Sequence, residues 1–581
     1  MSDSDMSGSG SSSPVDPSLI DPDGRVIAII GCGTIGRAIL AGLLRIARNA
    51  PDDSPESHLH FYVVTRTKES ADRLEQTFDR PEARNMIIFL SEEEMRSSLF
   101  TRARVVILAC PPSKAETVLQ KYDLESTVPL TTVVSLLHGV SVQDIQRYIL
   151  KGRGWHLHMP EVIRARPNIA AKVGKCMTVI ESHPNDRGGN EERLDRNDQV
   201  IWLFELIGEV EIVPPDEFDA AAMLASGSMG LAATAFQGII DGCVAEGLGR
   251  NEALQIGKQM LKGMVHLLDR GMSPVLLNEN VSTPGIWADR DRWALEKKGV
   301  GSAILSALLD ATSPQAVSRS GGGPARITRF VVSFKTFASA ERLRAQHEVD
   351  KNRVTVFAEE QIYCMQQADI VLFACHEDDL DDLDDKYQEV VDALKGKLVI
   401  SIVNGGLPTD IPAAYRSKGN GWPTFVEARP NDAVLVRKST TIIKDNSACE
   451  GRGGMVTWIF EQVGKVSYMS YLEFDTVTTT VRSSMAMFTL PLDGILDACV
   501  ARGMSRNEMK EMFAQVLEGL GGLLRHGVHP GGLRDVISDN SRPTARGMLQ
   551  LEKSGIRALF AEAMLTVGEG MLKVGEPIDD E

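Results

Sequence analysis

The sequence predicts a duplicated architecture, in which an α/β domain built on parallel strands and a helical domain each occur twice. Three observations lead to this prediction. Short segments recur at a constant spacing, and in both copies buried strand-like runs alternate with segments of helical periodicity. A glycine-rich turn joins a strand to a helix near residue 31, and the later copy contains no counterpart of it. The second copy is therefore expected to be a truncated version of the first.

The duplication rests on segments that match without a gap. Both Asp241–Val244 and Gly247–Glu252 recur at the same offset further along the chain (497 − 241 = 256 residues). A constant offset over this span indicates a tandem repeat. Upstream, the tetrapeptide Ala-Arg-Pro-Asn at 165–168 recurs at 428–431. The match does not extend to residues 25–50, so the second copy is expected to lack the first strand and the first helix.

The glycine-rich turn has the spacing of a dinucleotide-binding loop. Its residues follow a strand and open a helix; they are Gly31, Cys32, Gly33, Thr34, Ile35 and Gly36. In such loops the first glycine permits a tight turn, the second lets the backbone approach a pyrophosphate, and the third lets the helix pack on the strand. The helix N-terminus then directs free N–H groups at the phosphates. The alternative is a turn kept only for packing; the flanking strand and helix favour dinucleotide binding.

The end of the second strand determines which dinucleotide is expected. An acidic residue there would hold the ribose hydroxyls of NAD. The chain instead reads Thr65, Arg66, Thr67 and Lys68, and Arg66 is placed to meet a 2′-phosphate. The sequence therefore predicts NADP, bound by Arg66, Thr67 and Lys68 in addition to the glycine loop. The alternative is that Arg66 and Lys68 are solvated loop charges. One NADP site per chain is expected, because only the first copy has the loop.

Composition excludes several classes of partner. The formal net charge is -17, whereas binding to a phosphate backbone needs a basic face, so no nucleic acid is expected. Residues 1–24 read as a disordered tail, without the pattern of a signal peptide. No apolar run is expected to cross a bilayer. The eight cysteines are spread singly, which favours free thiols and a cytoplasmic location. His138 and His158 have no partners at metal-ligand spacing, so no metal is expected.

Five segments occurring in order carry a family resemblance. They are Ile29–Gly36, Val106–Pro111, Ile163–Asn168, Val173–Thr178 and Val281–Gly285. In these the chain resembles pyrroline-5-carboxylate reductase over residues 25–312 and, more weakly, over 327–575. The resemblance implies a Rossmann domain followed by a helical dimerisation domain, with NADPH delivering hydride to a cyclic imine where the two meet. It also implies that Cys110 and Pro111 lie near the nicotinamide.

Two copies on one chain imply an intramolecular pseudo-dimer, which leaves further homo-oligomerisation open. The expected divisions are a tail (1–24), an NADP-binding Rossmann domain (25–205), a helical domain (206–312), a linker (313–326), a truncated Rossmann-like domain without a cofactor loop (327–462) and a second helical domain (463–575).

The two elements that bind substrate in the family are altered here. The family's Ser-Gly-Ser-Gly-Pro-Ala corresponds to Ser226–Leu231, which has Met229 and no proline, and its Ser-Pro-Gly-Gly-Thr-Thr corresponds to Thr283–Ala288, which has Trp287. The resemblance then implies a more apolar pocket and a substrate that is either pyrroline-5-carboxylate or a bulkier imine. The candidate substrate-orienting residues are Asn168, Ser226, Ser228, Thr234, Thr283 and Trp287.

Each candidate has a structural alternative. Asn168 is also typical of a turn after proline, and Ser226 and Ser228 of caps at a helix start. Thr234 fits a helix-interior hydroxyl bonded to its own backbone, and Trp287 fits a core residue. At the level of function, the altered elements leave open a non-redox ligand-binding or cyclisation-steering protein on a reductase scaffold. A purely structural subunit is disfavoured by the intact glycine loop.

Overall fold

The computed structural model describes the greater part of both repeats. The described residues are 25–78, 86–94, 103–121, 131–150, 161–182, 191–274, 276–277, 305, 327–347, 350–375, 380, 386–403, 423–445, 453–471, 473–540 and 542–572. The chain forms two compact units. Unit 1 comprises Met1–Met229, Arg502–Met504 and Val536–Arg542, and unit 2 comprises Gly230–Ala501, Ser505–Asp535 and Pro543–Glu581.

Unit 1 contains an eight-stranded sheet in the order β3-β2-β1-β4-β5-β6-β7-β8. Neighbouring strands are parallel except β6 and β7, which are antiparallel. The strands are β1 (Arg25–Ile30), β2 (Leu59–Thr65), β3 (Ile87–Ser91), β4 (Ala103–Leu108), β5 (Thr132–Ser135), β6 (Glu161–Pro167), β7 (Cys176–Glu181) and β8 (Gly208–Val213). Apart from Arg25 and Arg104, the central strands β1 and β4 are apolar, as expected for a parallel sheet covered on both faces. Because β8 pairs with β7, the sheet continues beyond the expected domain boundary at residue 205.

Helices connect these strands and cover the sheet. They are α1 (Thr34–Asn49), α2 (Lys68–Phe78), α3 (Ala115–Lys121), α4 (Val142–Ile149) and α5 (Glu191–Glu205). Two short 3₁₀ helices, Pro112–Lys114 and Ile169–Val173, lie between strands. Helix α1 packs against Ile169–Val173 so closely that a Cβ added at Gly42 would lie 2.3 Å from the carbonyl oxygen of Ala171. Glycine at this position therefore sets the distance between the first helix and the segment after β6.

The sheet of the second repeat, in unit 2, is divided into two pieces. One has the order β10-β9 and the other β11-β12-β13-β14-β15. The strands are β9 (Phe330–Phe334), β10 (Val354–Ala358), β11 (Ile370–Phe373), β12 (Leu398–Ser401), β13 (Thr424–Arg429), β14 (Ser439–Lys444) and β15 (Gly464–Met469). In unit 1, β1 pairs with both β2 and β4. Among the described residues the second repeat has no strand joining β9, the counterpart of β2, to β11, the counterpart of β4. The predicted loss of the first β-α unit is confirmed.

The remaining helices belong to the later part of the first repeat and to the second repeat. They are α6 (Phe218–Ala245) and α7 (Arg250–Asp269) in the first repeat, and α8 (Phe337–Gln346), α9 (Gln361–Gln367), α10 (Tyr387–Leu394), α11 (Gly453–Glu461), α12 (Phe474–Val500), α13 (Arg506–Arg525), α14 (Pro530–Asn540), α15 (Arg542–Lys553) and α16 (Ile556–Leu572) in the second. The mixed α/β fold with a repeated helical part agrees with the sequence-based prediction.

Helices from both repeats pack together within unit 2. Helix α7 lies along α13, with Leu261 and Leu517 fully buried. The C-terminal part of α6 approaches α16 at two glycines: a Cβ added at Gly242 would lie 2.6 Å from the Cβ of Met564, and one at Gly238 would lie 2.8 Å from the carbonyl oxygen of Arg557. The first repeat therefore completes its helical core with helices of the second.

Helix α6 is long and apolar. By length and composition alone this 28-residue helix could span a bilayer, contrary to the expectation that no apolar run is long enough. However, 83% of its most apolar window is buried inside the protein. A buried core helix of a soluble protein has the same composition, so this single helix is weak evidence for a membrane span.

One ion pair between neighbouring antiparallel strands occurs in both repeats, with the positive and negative residues exchanged. In the first repeat, Arg164 on β6 donates to Glu181 on β7 at 2.6 Å. At the corresponding positions of the second repeat, Glu427 on β13 accepts from Lys444 on β14 at 3.0 Å. Each cation also lies over a phenylalanine ring, Phe218 or Phe474. The contact is thus preserved although both residue types have changed.

The contact at Gly42 predicts a specific loss of stability. Because the added methyl group would meet the Ala171 carbonyl, Gly42→Ala should lower the free energy of unfolding by about 1–3 kcal/mol, as overpacking typically does. Gly494→Ala is the control, since it lies in α12 with nothing within 4 Å of its added Cβ; it should raise stability by about 0.5–1 kcal/mol. Urea denaturation of the full chain measures both. Equal effects of the two variants would contradict the proposed close packing.

Candidate cofactor and substrate site

The glycine loop is held tightly against the sheet at its first residue. Gly31 has φ +86°, a conformation that favours glycine, and its N–H donates to the Val64 carbonyl at 2.8 Å. A Cβ added at Gly31 would lie 2.7 Å from both the N and the Cα atoms of Cys110. The loop therefore passes between the carboxyl ends of β2 and β4, where the strand order reverses and α/β sheets bind their ligands.

The middle of the same loop is open. Gly33 is exposed, and a Cβ added there would meet nothing within 4 Å. It forms the N-terminal cap of α1 without a side-chain cap, and no acidic residue lies in the first turn. Gly36 is closed again, since its added Cβ would lie 2.8 Å from the Gly31 carbonyl oxygen. This combination fits a pyrophosphate seated over Gly33 and the first turn formed by Thr34 and Ile35.

Two cysteines, Cys32 within the loop and Cys110 beside Gly31, are uncharged groups. Burial raises the pKa of Cys32 to about 12 and that of Cys110 to about 11, so both thiols are protonated at neutral pH. Cys110 follows the end of β4, and the exposed Pro111 then caps the short helix Pro112–Lys114. The wall beside Gly31 is therefore neutral.

The three residues expected to select the cofactor differ in their surroundings. Arg66 is exposed at the end of β2 and, among the described residues, has no carboxylate within ion-pair distance. The Thr67 hydroxyl accepts a hydrogen bond from the N–H of Ser70 at 3.3 Å, and this bond lies in the first turn of α2. The Lys68 Nζ lies 3.5 Å from Glu94, whose pKa is lowered mainly by hydrogen bonds from Ser91. Arg66 is therefore the better placed cation for a phosphate.

Asn168 is fully engaged with the backbone. It is 2% exposed; its Oδ1 accepts from the N–H of Ala170 at 3.1 Å and its Nδ2 donates to the Ala225 carbonyl at 2.9 Å. The first bond caps Ile169–Val173, which corresponds to the turn role considered from the sequence. The second bond, which the sequence did not indicate, fixes α6 relative to this turn.

The hydroxyl candidates lie inside α6. Ser226 donates to the Ala222 carbonyl at 2.7 Å, Ser228 donates to the carbonyl of Leu224, and Thr234 donates to that of Gly230 at 3.0 Å. The suggestion that the two serines cap a helix start is wrong, because α6 begins at Phe218. Without the family's proline, nothing interrupts the helix at this point. For Thr234 the back-bonded alternative is what the structure contains.

Three residues singled out in the sequence, Thr283, Trp287 and His158, lie outside the described residues. The Nε of Arg166 donates a hydrogen bond to the Nδ1 of His138 at 3.1 Å. The pKa of His138 is lowered, mainly by burial. Within the parts of the chain that the structure describes, no group of three or more His, Cys, Asp or Glu side chains is arranged to hold a metal.

Two family models match the chain. The model for pyrroline-5-carboxylate reductase dimerisation matches twice, at residues 215–317 and 472–569, and the model described as NADP oxidoreductase, coenzyme F420-dependent, matches residues 26–139. The repeated match coincides with the helices that follow each sheet.

Curated relatives carry the same family name. A pyrroline-5-carboxylate reductase of Neurospora crassa is 29% identical over 52% of this chain and 94% of its own length. One from Lophium arboricola is 30% identical over 45% of this chain and 85% of its own length. Among solved structures, the pyrroline carboxylate reductase of Plasmodium falciparum with NADP bound is 17% identical, with a TM-score of 0.35, over 49% of this chain and 94% of that one.

The surroundings of Arg66 predict its effect on cofactor choice. Arg66→Gln removes the charge-assisted hydrogen bonds to a 2′-phosphate, so the affinity for NADPH should fall about tenfold or more while that for NADH stays unchanged. Lys68→Gln is the control and should change NADPH affinity less, because Lys68 is paired with Glu94. Fluorescence titration with both dinucleotides measures these affinities. An equal loss for NADPH and NADH would mean that Arg66 does not contact the 2′-phosphate.

Proposed function

The chain belongs to the pyrroline-5-carboxylate reductase family, and on that premise we propose that it reduces a cyclic imine with NADPH at one active site per chain. The family is one of NAD(P)-dependent oxidoreductases. The proposed substrate is pyrroline-5-carboxylate or a bulkier related imine of specialised metabolism. We place this activity in the cytoplasm.

The geometry of the glycine loop carries this proposal. The loop is closed at Gly31 and Gly36, where backbone lies against backbone, and open at Gly33. A turn kept only for packing would have no need of an exposed glycine between two glycines that lie against the backbone. The sequence of the second repeat contains no counterpart of this turn, which supports a single cofactor site.

Different residues of unit 1 would bind different parts of NADPH. The backbone N–H groups of the first turn of α1 would hold the pyrophosphate, and Arg66 the 2′-phosphate. When bound, NADPH supplies the hydride that reduces the C=N bond. The protonated thiol of Cys110 and the ring of Pro111 are both uncharged. They would therefore place no charged group beside the nicotinamide ring. Positioning and exclusion of water supply most of the rate enhancement, because a protonated imine accepts hydride readily.

Asn168 and the two serines have distinct proposed roles. Asn168 is a positioning residue, because its bond to the Ala225 carbonyl fixes the turn of α6 that carries Ser226. The hydroxyls of Ser226 and Ser228 already donate to their own helix, so they retain only acceptor capacity. Such groups suit the N–H of a protonated imine better than a carboxylate. We retain Thr283 and Trp287 as proposed substrate contacts.

We further propose that the two repeats form a pseudo-dimer within one chain. The dimerisation model matches both repeats, and helices α6 and α7 share a core with α13 and α16 in unit 2. Further assembly of copies of the chain is compatible with this arrangement. The proposed partner is a small molecule, with neither nucleic acid nor membrane involved.

One observation favours a second candidate function. All three described hydroxyl candidates donate to helix carbonyls, which leaves no side-chain donor for a substrate carboxylate among them. The scaffold would then bind a ligand or steer a cyclisation without transferring hydride. In that case NADPH binding would persist in the absence of imine reduction.

Substitutions at Gly33 test the cofactor site. Gly33→Ala and Gly33→Asp should both fold, because nothing lies within 4 Å of the added Cβ. The aspartate should abolish NADPH binding by placing a charge in the path of the pyrophosphate. Gly454→Ala, an equally open glycine of the second repeat, should leave binding unchanged. Calorimetric titration should give one NADPH per wild-type chain; an unchanged affinity in Gly33→Asp, or two sites per chain, would contradict the proposal.

Turnover distinguishes the two functions. Purified chain should oxidise NADPH in the presence of pyrroline-5-carboxylate or of a bulkier cyclic imine, as followed by absorbance of the reduced nicotinamide. The Gly33→Asp variant should lose this activity in parallel with NADPH binding. Binding of NADPH without oxidation by any imine of the panel would reject the reductase and favour the non-redox function.

A further inference from the structure

His138 lies at the edge of the unit 1 sheet where the proposed cofactor site is located. Strands β1, β4 and β5 are parallel neighbours, so their carboxyl ends lie along one edge of the sheet. The glycine loop follows β1, Cys110 follows β4 and His138 follows β5. A dinucleotide that crosses this edge with its 2′-phosphate at Arg66, beyond β2, would direct its nicotinamide towards β4 and β5. His138 is therefore on the side where a substrate would meet the nicotinamide.

Arg166 fixes the tautomer of His138. The Nε of Arg166 donates to the Nδ1 of His138 at 3.1 Å. Because a guanidinium has no acceptor, this Nδ1 carries no proton, and the neutral ring carries its proton on Nε2. Burial lowers the pKa of His138, as do the charges of Arg166 and Arg164, while the charge of Asp219 opposes them. The ring is therefore neutral at neutral pH, with an N–H group at Nε2.

The Nε2–H group of His138 is an accessible donor. His138 is half-buried, and its Nε2 has no hydrogen-bond partner among the described residues. Unlike the Nε of Arg164, which is buried without a partner, this atom is in contact with solvent, so a ligand can reach it. The hydroxyls of Ser226 and Ser228, in contrast, already donate to carbonyls of their own helix. His138 thus offers a donor that these two serines do not.

The positive charge of Arg166 has no counter-ion. Arg166 is 5% exposed, and burial lowers its pKa to about 10, so it is a buried cation at neutral pH. Its Nη1 donates to the Ala165 carbonyl at 3.1 Å and its Nη2 donates to the Leu137 carbonyl. Within the parts of the chain that the structure describes, no carboxylate lies within ion-pair distance of Arg166, whereas Arg164 pairs with two. Because an unpaired buried charge is costly, an anion bound at the far nitrogen of His138 would be favoured.

The second repeat retains the arginine without the histidine. Arg429, the counterpart of Arg166, donates from Nη1 to the last carbonyl of β12 at 3.3 Å, as Arg166 does to the last carbonyl of β5 at 3.4 Å. Arg429 also pairs with Glu427 at 3.4 Å. The sequence position corresponding to His138 is Asn404. The guanidinium therefore serves the fold in both repeats, whereas the histidine and an arginine without a counter-ion occur together in the repeat that has the glycine loop.

We propose that the Nε2–H group of His138 binds the carboxylate of the substrate. This inference rests on the proposed reductase function and narrows its substrate to cyclic imines that carry a carboxylate. Arg166 contributes in two ways, because it holds the proton of the ring on Nε2 and because its charge attracts the anion across the ring. His138 is thus a substrate-binding residue, and Arg166 is a positioning residue behind it.

Two substitutions of His138 test the role of its Nε2. His138→Asn keeps an acceptor for Arg166 but removes the distant donor, whereas His138→Gln returns an amide N–H group near the position of Nε2. With pyrroline-5-carboxylate, His138→Asn should raise KM about tenfold or more with little change in kcat, and His138→Gln should restore KM to within about threefold of wild type. With 1-pyrroline, which lacks the carboxylate, both variants should match wild type. An equal rise of KM for both imines in His138→Asn would overturn the proposal.

Binding without turnover separates this proposal from the reductase function. Cyclopentanecarboxylate, which has a carboxylate but no imine, is titrated calorimetrically into the full chain saturated with NADP⁺. Wild type should bind it, and His138→Asn should bind it about tenfold more weakly. The control His266→Asn, at a half-buried histidine of α7, should bind it as wild type does.

Two results of this titration would overturn the role of His138: equal affinity in wild type and His138→Asn, or no binding by wild type. A weaker affinity of His138→Asn for NADPH, with carboxylate binding unchanged, would assign the histidine to the cofactor and also overturn the proposal. Absence of imine turnover, with the difference in carboxylate affinity intact, would reject the reductase and leave the carboxylate site.

Discussion

Strand β1 is the element on which the rest of unit 1 depends. It hydrogen-bonds to β2 on one side and to β4 on the other, and it ends directly in the glycine loop. The backbone at Gly31 reaches both neighbours, through its bond to Val64 and its contact with Cys110. Continuity of the sheet and the position of the proposed phosphate-binding turn therefore have the same physical cause. Among the described residues of the second repeat no strand joins β9 to β11, and the sheet is divided there.

The helical part gives the second repeat a structural role that requires no cofactor loop. Two glycines of α6 allow α16 to approach to backbone contact, and α7 lies along α13. The Nε2 of Gln259 on α7 also donates to the Lys438 carbonyl, beside β14. Helices α6 and α7 therefore bury their apolar faces against the second repeat. Deleting that repeat would expose these faces to water, at a cost proportional to the apolar area.

Much of this architecture could be predicted from the sequence, because it depends on local signals. The constant offset revealed the repeat. The spacing of Gly31, Gly33 and Gly36 revealed the loop, in which Gly31 and Gly36 are closely packed and Gly33 is open, as expected. The loss of β1 followed from comparing the two copies. Each of these features depends on a short segment of sequence in which few residue types are compatible with the backbone conformation or packing.

Side-chain partners could not be predicted in the same way, because they depend on contacts distant in the sequence. The pairing of Lys68 with Glu94 follows from β3 lying beside β2, and the bond from Asn168 to Ala225 spans 57 residues. The serines looked like caps because their neighbours are small and polar; in the structure α6 simply continues through them.

The exchanged ion pair has a consequence for how the chain reaches its native state. A polypeptide with two similar sheets risks assembling a strand of one with a strand of the other. If β6 were to align with β14, Arg164 would meet Lys444; if β13 were to align with β7, Glu427 would meet Glu181. Both hybrids place like charges at a largely dehydrated edge, where repulsion is strong. The exchanged charges therefore disfavour pairing between strands of different repeats. This matters during synthesis, because the first repeat emerges before the second.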